Sequence, residues 1–170
     1  MGAGKTAVGR RLAGILDYEF VDVDHYIEQR TGVDIALIFD KEGDAGFRQR
    51  ESQAIGELTL KDNIVVATGG GAVVSEANRK LLRERGCVVY LKTSIDQQYE
   101  RTRSSQTRPL LQLDDPRGRL AELMEIRGPL YDEIANLRIL TDRRFVKSVA
   151  REIATQLAEQ SPDNEKQPGQ

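Results

Sequence analysis

Five residues at the start of the chain, Gly2-Ala3-Gly4-Lys5-Thr6, combine the groups that bind a nucleotide phosphate. Glycines let backbone N–H groups approach phosphate oxygens, and the positive end of a following helix attracts the negative charge. A lysine here reaches the β- and γ-phosphates, and a threonine hydroxyl joins the shell of a Mg²⁺ ion. For these residues taken alone, the alternative is a chance Gly-Lys-Thr at the start of an ordinary helix.

Two aspartates, Asp22 and Asp24, end the strand predicted over residues 18–23. Alternate positions of a strand point to one face, so the pattern predicts that both carboxylates project together. Adjacent carboxylates repel unless a cation or a donor holds them. Beside a Mg²⁺–nucleotide, one could hold metal-bound water and the other could accept a proton from a substrate hydroxyl. The alternative is that one of them, most plausibly Asp24, caps the next helix.

Arginines and glycines supply the groups that an anionic substrate needs. Arg48 follows a glycine-containing turn and can fork onto a carboxylate or phosphate. The glycines of Thr68-Gly69-Gly70-Gly71 offer a backbone against which a ligand can lie, or else a flexible turn. Arg127 lies in Arg-Gly-Pro-Leu-Tyr131. Arg108 lies in a predicted mobile loop, residues 104–116, that could exclude water while its charge neutralises a phosphoryl group. Each arginine taken alone is more often solvated surface.

Short apolar strands that alternate with helices must position these residues. The apolar pattern predicts strands over 18–23, 64–68, 88–91 and 138–140. It predicts helices over 5–16, 33–40, 47–60, 77–84, 94–103 and 146–157, one that begins at 26, and one from around 120 to before Pro129. A turn is predicted at 42–46. This alternation is typical of an α/β doubly wound domain with helices on both faces of a parallel sheet. In such a sheet ligands bind beyond the carboxyl ends of the strands, where the aspartates and the glycines fall.

Composition narrows the class of protein. The chain has 170 residues, enough for one domain, and its formal net charge of -2 gives no bulk attraction to nucleic acid or to a membrane surface. It has one cysteine and one histidine, too few for a metal cluster of these residues. Cys87 is predicted to be a buried strand residue. With no secretory pattern and no apolar run long enough to span a membrane, a reducing cytoplasm is the predicted compartment.

Taken in order, G-x-G-K-T, D-x-D, F-R, G-G-G, R-P-L-L and R-x-P-L-Y resemble the shikimate kinases from Met1 to about Leu157. The resemblance implies a three-layer P-loop kinase fold with a mobile lid. It implies transfer of the ATP γ-phosphoryl group to the 3-hydroxyl of shikimate, giving shikimate 3-phosphate and ADP on the route to chorismate and the aromatic amino acids. It also implies one domain over 1–158, with a shikimate-binding segment at about 24–60 and a lid at about 103–116. A disordered tail, 159–170, follows.

The resemblance assigns roles to residues. The implied catalytic residues are Lys5, Asp24 and Arg108. Implied ATP-binding residues are Gly2, Ala3, Gly4, Lys5, Thr6, Arg101, Arg108 and Arg143. Implied shikimate-binding residues are Asp24, Arg48, Gly69, Gly70, Gly71 and Arg127. Thr6 and Asp22 are implied at the Mg²⁺ that accompanies ATP. The implied partners are shikimate and ATP, with neither nucleic acid nor membrane, and a monomer is expected. Tyr131 is interpreted as a packing residue, and His25 as a helix-start residue.

The sequence departs from the family pattern at its start. The family's loop is a full G-x-x-x-x-G-K-[ST] after a hydrophobic strand, which lies in the middle of five parallel strands ordered 2-3-1-4-5. This sequence matches the last four strands, and Met1 falls inside the loop. A sheet without its middle strand leaves buried N–H and C=O groups unpaired, each at a cost of about 1–3 kcal/mol. We therefore expect the biologically active chain to be longer and the 170-residue form to fold poorly or rearrange.

Two other functions stay open at this point. A gluconate-type small-molecule kinase would share the phosphate loop and the lid, and Phe47-Arg48 together with Arg127-x-Pro-Leu-Tyr131 argues for a shikimate kinase instead. An inactive, truncated binding module would bind ligands without turnover. The presence of Lys5, Asp24 and Arg108 argues for an active enzyme.

Overall fold

A computed structural model describes residues 2–103 and 115–160 of the chain. The elements in order are α1 (Lys5–Leu16), β1 (Glu19–Asp22), α2 (Val23–Thr31), α3 (Ile35–Leu58), β2 (Ile64–Ala67), a single 3-10 turn (Ala72–Val74), α4 (Glu76–Arg85), β3 (Val89–Lys92), α5 (Ile95–Thr102), α6 (Pro116–Ile134), β4 (Leu137–Leu140) and α7 (Val146–Gln160). Within the described ranges, no helix has the length and apolarity needed to cross a membrane. Arg108, most of the predicted lid and residues 161–170 of the predicted tail lie outside the described residues.

The four strands pair in parallel, as predicted, but they form two separate pairs. The first half-sheet joins β1 to β2, with Glu19 opposite Ile64 and Asp22 opposite Ala67. The second half-sheet joins β3 to β4, with Val89 opposite Leu137 and Lys92 opposite Leu140. Parallel strands need a helical crossover, and each pair has one, which accounts for the alternation of strands and helices in the sequence.

Two hydrophobic cores lie against the strands. The first core packs α2 and α3 around the first half-sheet, and its buried residues are Val23, Ile27, Ile38, Phe47, Ala54, Ile55, Leu58 and Ala72. The second packs α1 and α7 on the second half-sheet and also contacts Val65 of β2, and its buried residues are Val8, Leu12, Leu137, Ile139, Val149, Ala150 and Ile153. The apolar spacing of α1 and α7 in the sequence thus marks the faces that these helices bury.

A gap separates β2 from β3, and two cavities of about 390 and 730 Å³ occupy it. Val66, Val89 and Leu91 line both cavities. The smaller cavity continues below α3, α4 and α6, and the larger one below α1 and α7. Helices therefore cover both sides of the gap, while none of the described residues forms a strand inside it.

Because of the gap, the strand residues beside it are less buried than their apolar sequence predicts. Every residue of β3 is half-buried instead of buried. Cys87, predicted to be a buried strand residue, is exposed and lies before β3, beside the gap. That prediction was wrong because a continuous apolar run indicates neighbours on both sides, and here one side is open.

Two helices continue past positions at which the sequence predicts that they end. The predicted turn at 42–46 is reduced to one kink at Gly43 (φ 69°, ψ −171°) inside α3, and an Arg50–Glu42 ion pair bridges it. The helix predicted to end before Pro129 continues to Ile134. A proline removes one helical hydrogen bond, but α6 buries Leu120 and Leu123 before it and Ile134 after it. Burial of one continuous face outweighs that loss.

Candidate functional site

The phosphate-loop residues form a tight turn into α1. Gly2 (φ 68°) and Gly4 (φ 87°) both have left-handed backbone angles, which glycine adopts at low cost. The helix then begins at Lys5, as predicted, so that the backbone N–H groups of its first turn have no carbonyl of their own helix to bond. A side chain at Gly2 would lie 3.0 Å from the carbonyl oxygen of Gln98, so the loop packs closely on α5.

Thr6 and Asp22 meet beside this turn. The Thr6 hydroxyl donates to Asp22 Oδ2 at 3.0 Å, and Asp22 Oδ1 accepts from the backbone N–H of Asp24 at 3.1 Å. The strand ends at Asp22, and Asp24 lies in the first turn of α2. The prediction that both carboxylates project from one face of a strand is therefore wrong. Asp22, not Asp24, is the residue that caps the helix, because its side chain satisfies an unpaired N–H of the first turn.

Asp24 is held in a mostly buried, negatively charged setting. Its Oδ1 is buried and has no hydrogen-bond partner among the described residues. The pKa of Asp24 is raised from 3.8 to about 6, first by burial and then by the nearby Asp22 and Glu51 carboxylates, while Lys5 opposes them. A carboxylate with an open acceptor atom and a pKa near neutrality is suited to take a proton from a hydroxyl group.

Glu51 is a site residue that the sequence prediction missed. Its side chain is fully buried, and its Oε2 accepts a 2.6 Å hydrogen bond from Arg48. Its Oε1 is buried without a hydrogen-bond partner in the described part of the chain. The spacing of Arg48 and Glu51, three residues apart on a helix, is the signal that could have paired them. Glu51 fixes the guanidinium of Arg48, which also contacts Asp44 at 3.4 Å.

Each glycine of the Gly69-Gly70-Gly71 turn packs against a different side chain. A Cβ atom at Gly69 would lie 2.6 Å from Glu51 Oε1, one at Gly70 3.2 Å from Tyr131 Oη, and one at Gly71 2.5 Å from the Arg48 guanidinium. A side chain at Gly69 or Gly71 would overlap Glu51 or Arg48, and one at Gly70 would press on Tyr131, which the alternative of a merely flexible turn does not account for.

Arg127 and Tyr131 approach the same turn from α6. They are four residues apart and so lie on one face of the helix. Tyr131 donates its hydroxyl hydrogen to the carbonyl oxygen of Gly70 at 2.5 Å, and its ring lies 4.9 Å from that of Tyr90 on β3. Burial raises the pKa of Tyr131, and the charge and hydrogen bond of Arg127 act in the opposite direction. Arg48 and Arg127 thus reach the glycine turn from α3 and from α6.

Two of the cations predicted for the nucleotide, Arg101 and Arg143, lie beside the second half-sheet. The Arg101 guanidinium donates to the carbonyl oxygens of Gly2 at 3.1 Å and of Thr141 at 3.0 Å, so it ties the phosphate loop to the end of β4. Arg143 is exposed in the turn after β4 and has a left-handed backbone (φ 52°). The structure therefore brings Arg101 to the phosphate loop and places Arg143 two residues after Thr141. His25 is exposed in the first turn of α2, as predicted.

Comparison with known proteins identifies the family. A family model described as shikimate kinase matches residues 1–158. The chain belongs to the shikimate kinase family. A shikimate kinase from Shewanella frigidimarina is 55% identical over 157 residues, which is 92% of each chain. Among solved structures, a shikimate kinase from Acinetobacter baumannii in complex with shikimate is 45% identical with a TM-score of 0.90, over 98% of this chain and 91% of that one. One from Bacteroides thetaiotaomicron is 31% identical with a TM-score of 0.85, over 93% and 94%.

Membership of the shikimate kinase family confirms the predicted α/β P-loop kinase fold and the predicted class of enzyme, an ATP-dependent phosphotransferase. It also decides between the two kinase families considered from the sequence, since the matching family is the shikimate kinases and not a gluconate-type kinase. The roles of individual residues stay predictions, which the geometry above supports to different degrees.

Proposed function

We propose that this chain transfers the γ-phosphoryl group of ATP to the 3-hydroxyl of shikimate, giving shikimate 3-phosphate and ADP, a step toward chorismate. The observation that carries the proposal is the glycine turn with Arg48 on one side, Arg127 on the other and Asp24 nearby. Two guanidinium groups and a carboxylate suit a small acid that carries hydroxyl groups. A similar protein has been solved with shikimate bound.

The acceptor's carboxylate would lie between Arg48 and Arg127, at the backbone of Gly70. Glu51 holds the Arg48 guanidinium in place, so little side-chain freedom is lost when the acid binds. The buried Oδ1 of Asp24 then faces a hydroxyl group of the same ligand. These contacts fix the orientation of the acceptor as well as its charge, which is what in-line attack on a phosphoryl group requires.

Asp24 is the proposed base. The acceptor hydroxyl oxygen forms a bond to the γ-phosphorus, the bond from that phosphorus to the β–γ bridging oxygen breaks, and ADP leaves. The hydroxyl proton goes to Asp24, whose pKa of about 6 leaves it largely ionised at neutral pH yet basic enough to accept the proton. Lys5, which lies close enough to lower the pKa of Asp24, is placed to neutralise charge on the phosphates.

The nucleotide would lie on Gly2, Ala3, Gly4, Lys5 and Thr6, with Arg101 and Arg143 on the adenine side. Arg108 and the lid residues 104–114 lie outside the described residues, and their role stays a prediction. Thr6 and Asp22 fit Mg²⁺, because their side-chain oxygens lie 3.0 Å apart and hard cations take oxygen ligands. When bound, the ion neutralises phosphate charge. No group of three or more acidic, histidine or cysteine side chains within the described residues could hold a metal by itself, which suits a Mg²⁺ carried in with the nucleotide.

The organisation of the chain forms part of the same proposal. It comprises one domain over 1–158, whose segment at about 24–60 binds the acceptor, with a lid at about 103–116. Residues 159 and 160 of the predicted tail belong to the end of α7, and the rest of that tail lies outside the described residues. The position of Asp24, Arg48 and Glu51 at one site supports the acceptor segment. We expect a cytoplasmic monomer that binds neither nucleic acid nor membranes.

The decisive experiment is release of ADP from ATP and Mg²⁺ by the 170-residue chain, with shikimate, with gluconate and without an acceptor. ADP release that depends on shikimate is expected. Release that depends on gluconate and not on shikimate would overturn the proposal. A rise in melting temperature with shikimate, without ADP release, would support an inactive binding module. If the chain shows neither ADP release nor a rise in melting temperature, the same assays should be repeated on a chain extended before Gly2. The absence of both effects in the extended chain would contradict the assigned activity.

A further inference from the structure

The Tyr131 hydroxyl lies beside two groups of the proposed carboxylate site, the Gly70 backbone and the Arg127 guanidinium. It donates to the carbonyl oxygen of Gly70 at 2.5 Å. The position of a Cβ atom at Gly70 lies 3.2 Å from Tyr131 Oη and 3.7 Å from an Arg127 terminal nitrogen. The phenol oxygen and the Arg127 guanidinium therefore lie side by side at the Gly70 backbone.

The Tyr131 ring is fixed from the opposite side of the gap. It packs on Tyr90 of β3 at 4.9 Å between ring centres, while the hydroxyl bonds to the turn that follows β2. Aromatic rings in such contact restrict each other's rotation. Tyr131 thus connects the second half-sheet to the glycine turn of the first.

We propose that Tyr131 is a positioning residue for the acceptor: its hydroxyl sets the separation between the Arg127 guanidinium and the Gly70 peptide so that one carboxylate can contact both. This inference rests on the proposed function and adds to it a residue that touches no reacting atom. It gives the hydroxyl a role beyond that of the ring, since the hydroxyl donates to the Gly70 carbonyl and has acceptor lone pairs for the neighbouring guanidinium.

The simpler interpretation is that Tyr131 only packs. The two interpretations differ in what Tyr131→Phe changes. That substitution keeps the ring and its contact with Tyr90 and removes the hydroxyl. A packing role predicts a small loss of stability and an unchanged acceptor KM. A positioning role predicts a raised KM for an acceptor that carries the carboxylate, and an unchanged KM for ATP.

The test measures kcat and KM for shikimate and for ATP in the wild type, in Tyr131→Phe and in the matched control Tyr90→Phe. We expect Tyr131→Phe to raise the KM for shikimate about 10-fold, the effect of one hydrogen bond to a charged group. The KM for ATP should stay within about 2-fold, and Tyr90→Phe should resemble the wild type. An unchanged KM for shikimate in Tyr131→Phe, or an equal rise in Tyr90→Phe, would overturn the inference.

A second comparison is independent of how much of each variant folds. The methyl ester of shikimate lacks the carboxylate charge, so the wild type and Tyr131→Phe should use it with nearly the same KM. A 10-fold difference that persists with the ester would show that the hydroxyl does not act through the carboxylate. An inactive wild type would contradict the proposed function, whereas an active wild type with an unaffected Tyr131→Phe variant would contradict this inference alone.

Discussion

The two half-sheets hold their functional residues in different ways. On the first, Asp24 and Glu51 carry buried oxygens, and Glu51 is paired with Arg48. On the second, Arg101 and Arg143 are exposed, and Arg101 is held by backbone carbonyls. The first half-sheet therefore presents a site assembled from mutually dependent charges, and the second presents single cations that are largely independent of one another.

This difference has an energetic basis. Charges interact strongly where water is excluded, so removing one member of a buried set leaves the others uncompensated. An exposed cation is screened and contributes little to folding. Substitutions near the first half-sheet should therefore affect both stability and acceptor binding, while those on the second should affect nucleotide binding alone.

The largest effect is expected at Lys5, which lines both cavities in the gap and belongs to neither half-sheet. Lys5→Ala should reduce kcat by about 100-fold or more, because it removes a charge that stabilises the transferring phosphoryl group. The melting temperature should change little. Lys147→Ala, an exposed lysine on α7, is the matched control for kinetics and melting. A loss of less than a few-fold would mean that Lys5 does not contact the phosphates.

Arg48→Ala and Arg143→Ala test the comparison directly. Arg48→Ala leaves the Glu51 carboxylate buried without its cation, and it should lower the free energy of unfolding by about 3 kcal/mol. That value is at the low end of the range for a broken buried pair, because the Arg48 side chain is 31% exposed. For a chain of this size it corresponds to roughly 6–12 °C in Tm. The KM for shikimate should also rise at least about 10-fold.

Arg143→Ala should leave Tm within about 1 °C of the wild type and raise only the KM for ATP, because its side chain is exposed. Thermal melts and steady-state kinetics on both variants measure the contrast. Equal losses of stability in the two variants would remove the distinction between the half-sheets.

The gap itself offers a third test. The edges of β2 and β3 that face it have no strand partner among the described residues, and apolar side chains line it. Five β-branched residues fused before Gly2 should pair with both edges and raise the free energy of unfolding by about 2–3 kcal/mol. This corresponds to roughly 4–12 °C in Tm. A fused segment of the same length made of glycine and serine is the control. Equal melting temperatures for the two fusions would show that the gap does not accept a strand.

The last expected effect is the pH dependence of stability that follows from Asp24. Its pKa in the folded chain is about 6, above the ordinary 3.8, so the folded chain binds this proton more tightly than the unfolded chain. The resulting stabilisation is fully present below about pH 3.8 and is lost as pH rises through about 6. Denaturant unfolding between pH 4 and 8 measures this. The free energy of unfolding of the wild type should show this loss as pH rises, and that of Asp24→Asn should not. Superimposable pH trends would contradict the raised pKa.

Activity should follow the opposite direction, because the proposed base must be ionised. In the wild type, kcat/KM should fall as pH drops below about 6. A profile that is flat down to pH 5 would assign the proton to another group.

The sequence predicted the elements whose signals are local. The apolar spacing of α1 and α7 and the runs that form β2 and β3 appear in the structure close to their predicted bounds. The kink at Gly43 and the continuation of α6 through Pro129 could not be predicted, because both depend on tertiary packing that outweighs a local helix-breaking signal.

The site was predicted unevenly for the same reason. Lys5, Thr6 and the glycines belong to short motifs, and the structure places them together at the carboxyl ends of the strands. The pairing of Glu51 with Arg48 could have been read from their helical spacing, but its contact with Gly69 forms only in the folded chain. The contacts of Tyr131 with Gly70 and Tyr90 likewise form only in the folded chain. Nothing in the sequence around Tyr131 distinguishes a hydroxyl that orders a backbone from one that is merely exposed.

The Gly69-Gly70-Gly71 turn also constrains any attempt to redesign this enzyme for a bulkier acid. Its backbone already lies against Glu51, Tyr131 and Arg48, so that wall of the proposed acceptor site has no side chain left to shorten. Additional room can come only from the opposing side chains, and trimming Glu51 or Arg48 would release the partner that it holds. Altered acceptor specificity would therefore require coordinated substitutions at these positions, and single changes in the turn should reduce activity without admitting a new substrate.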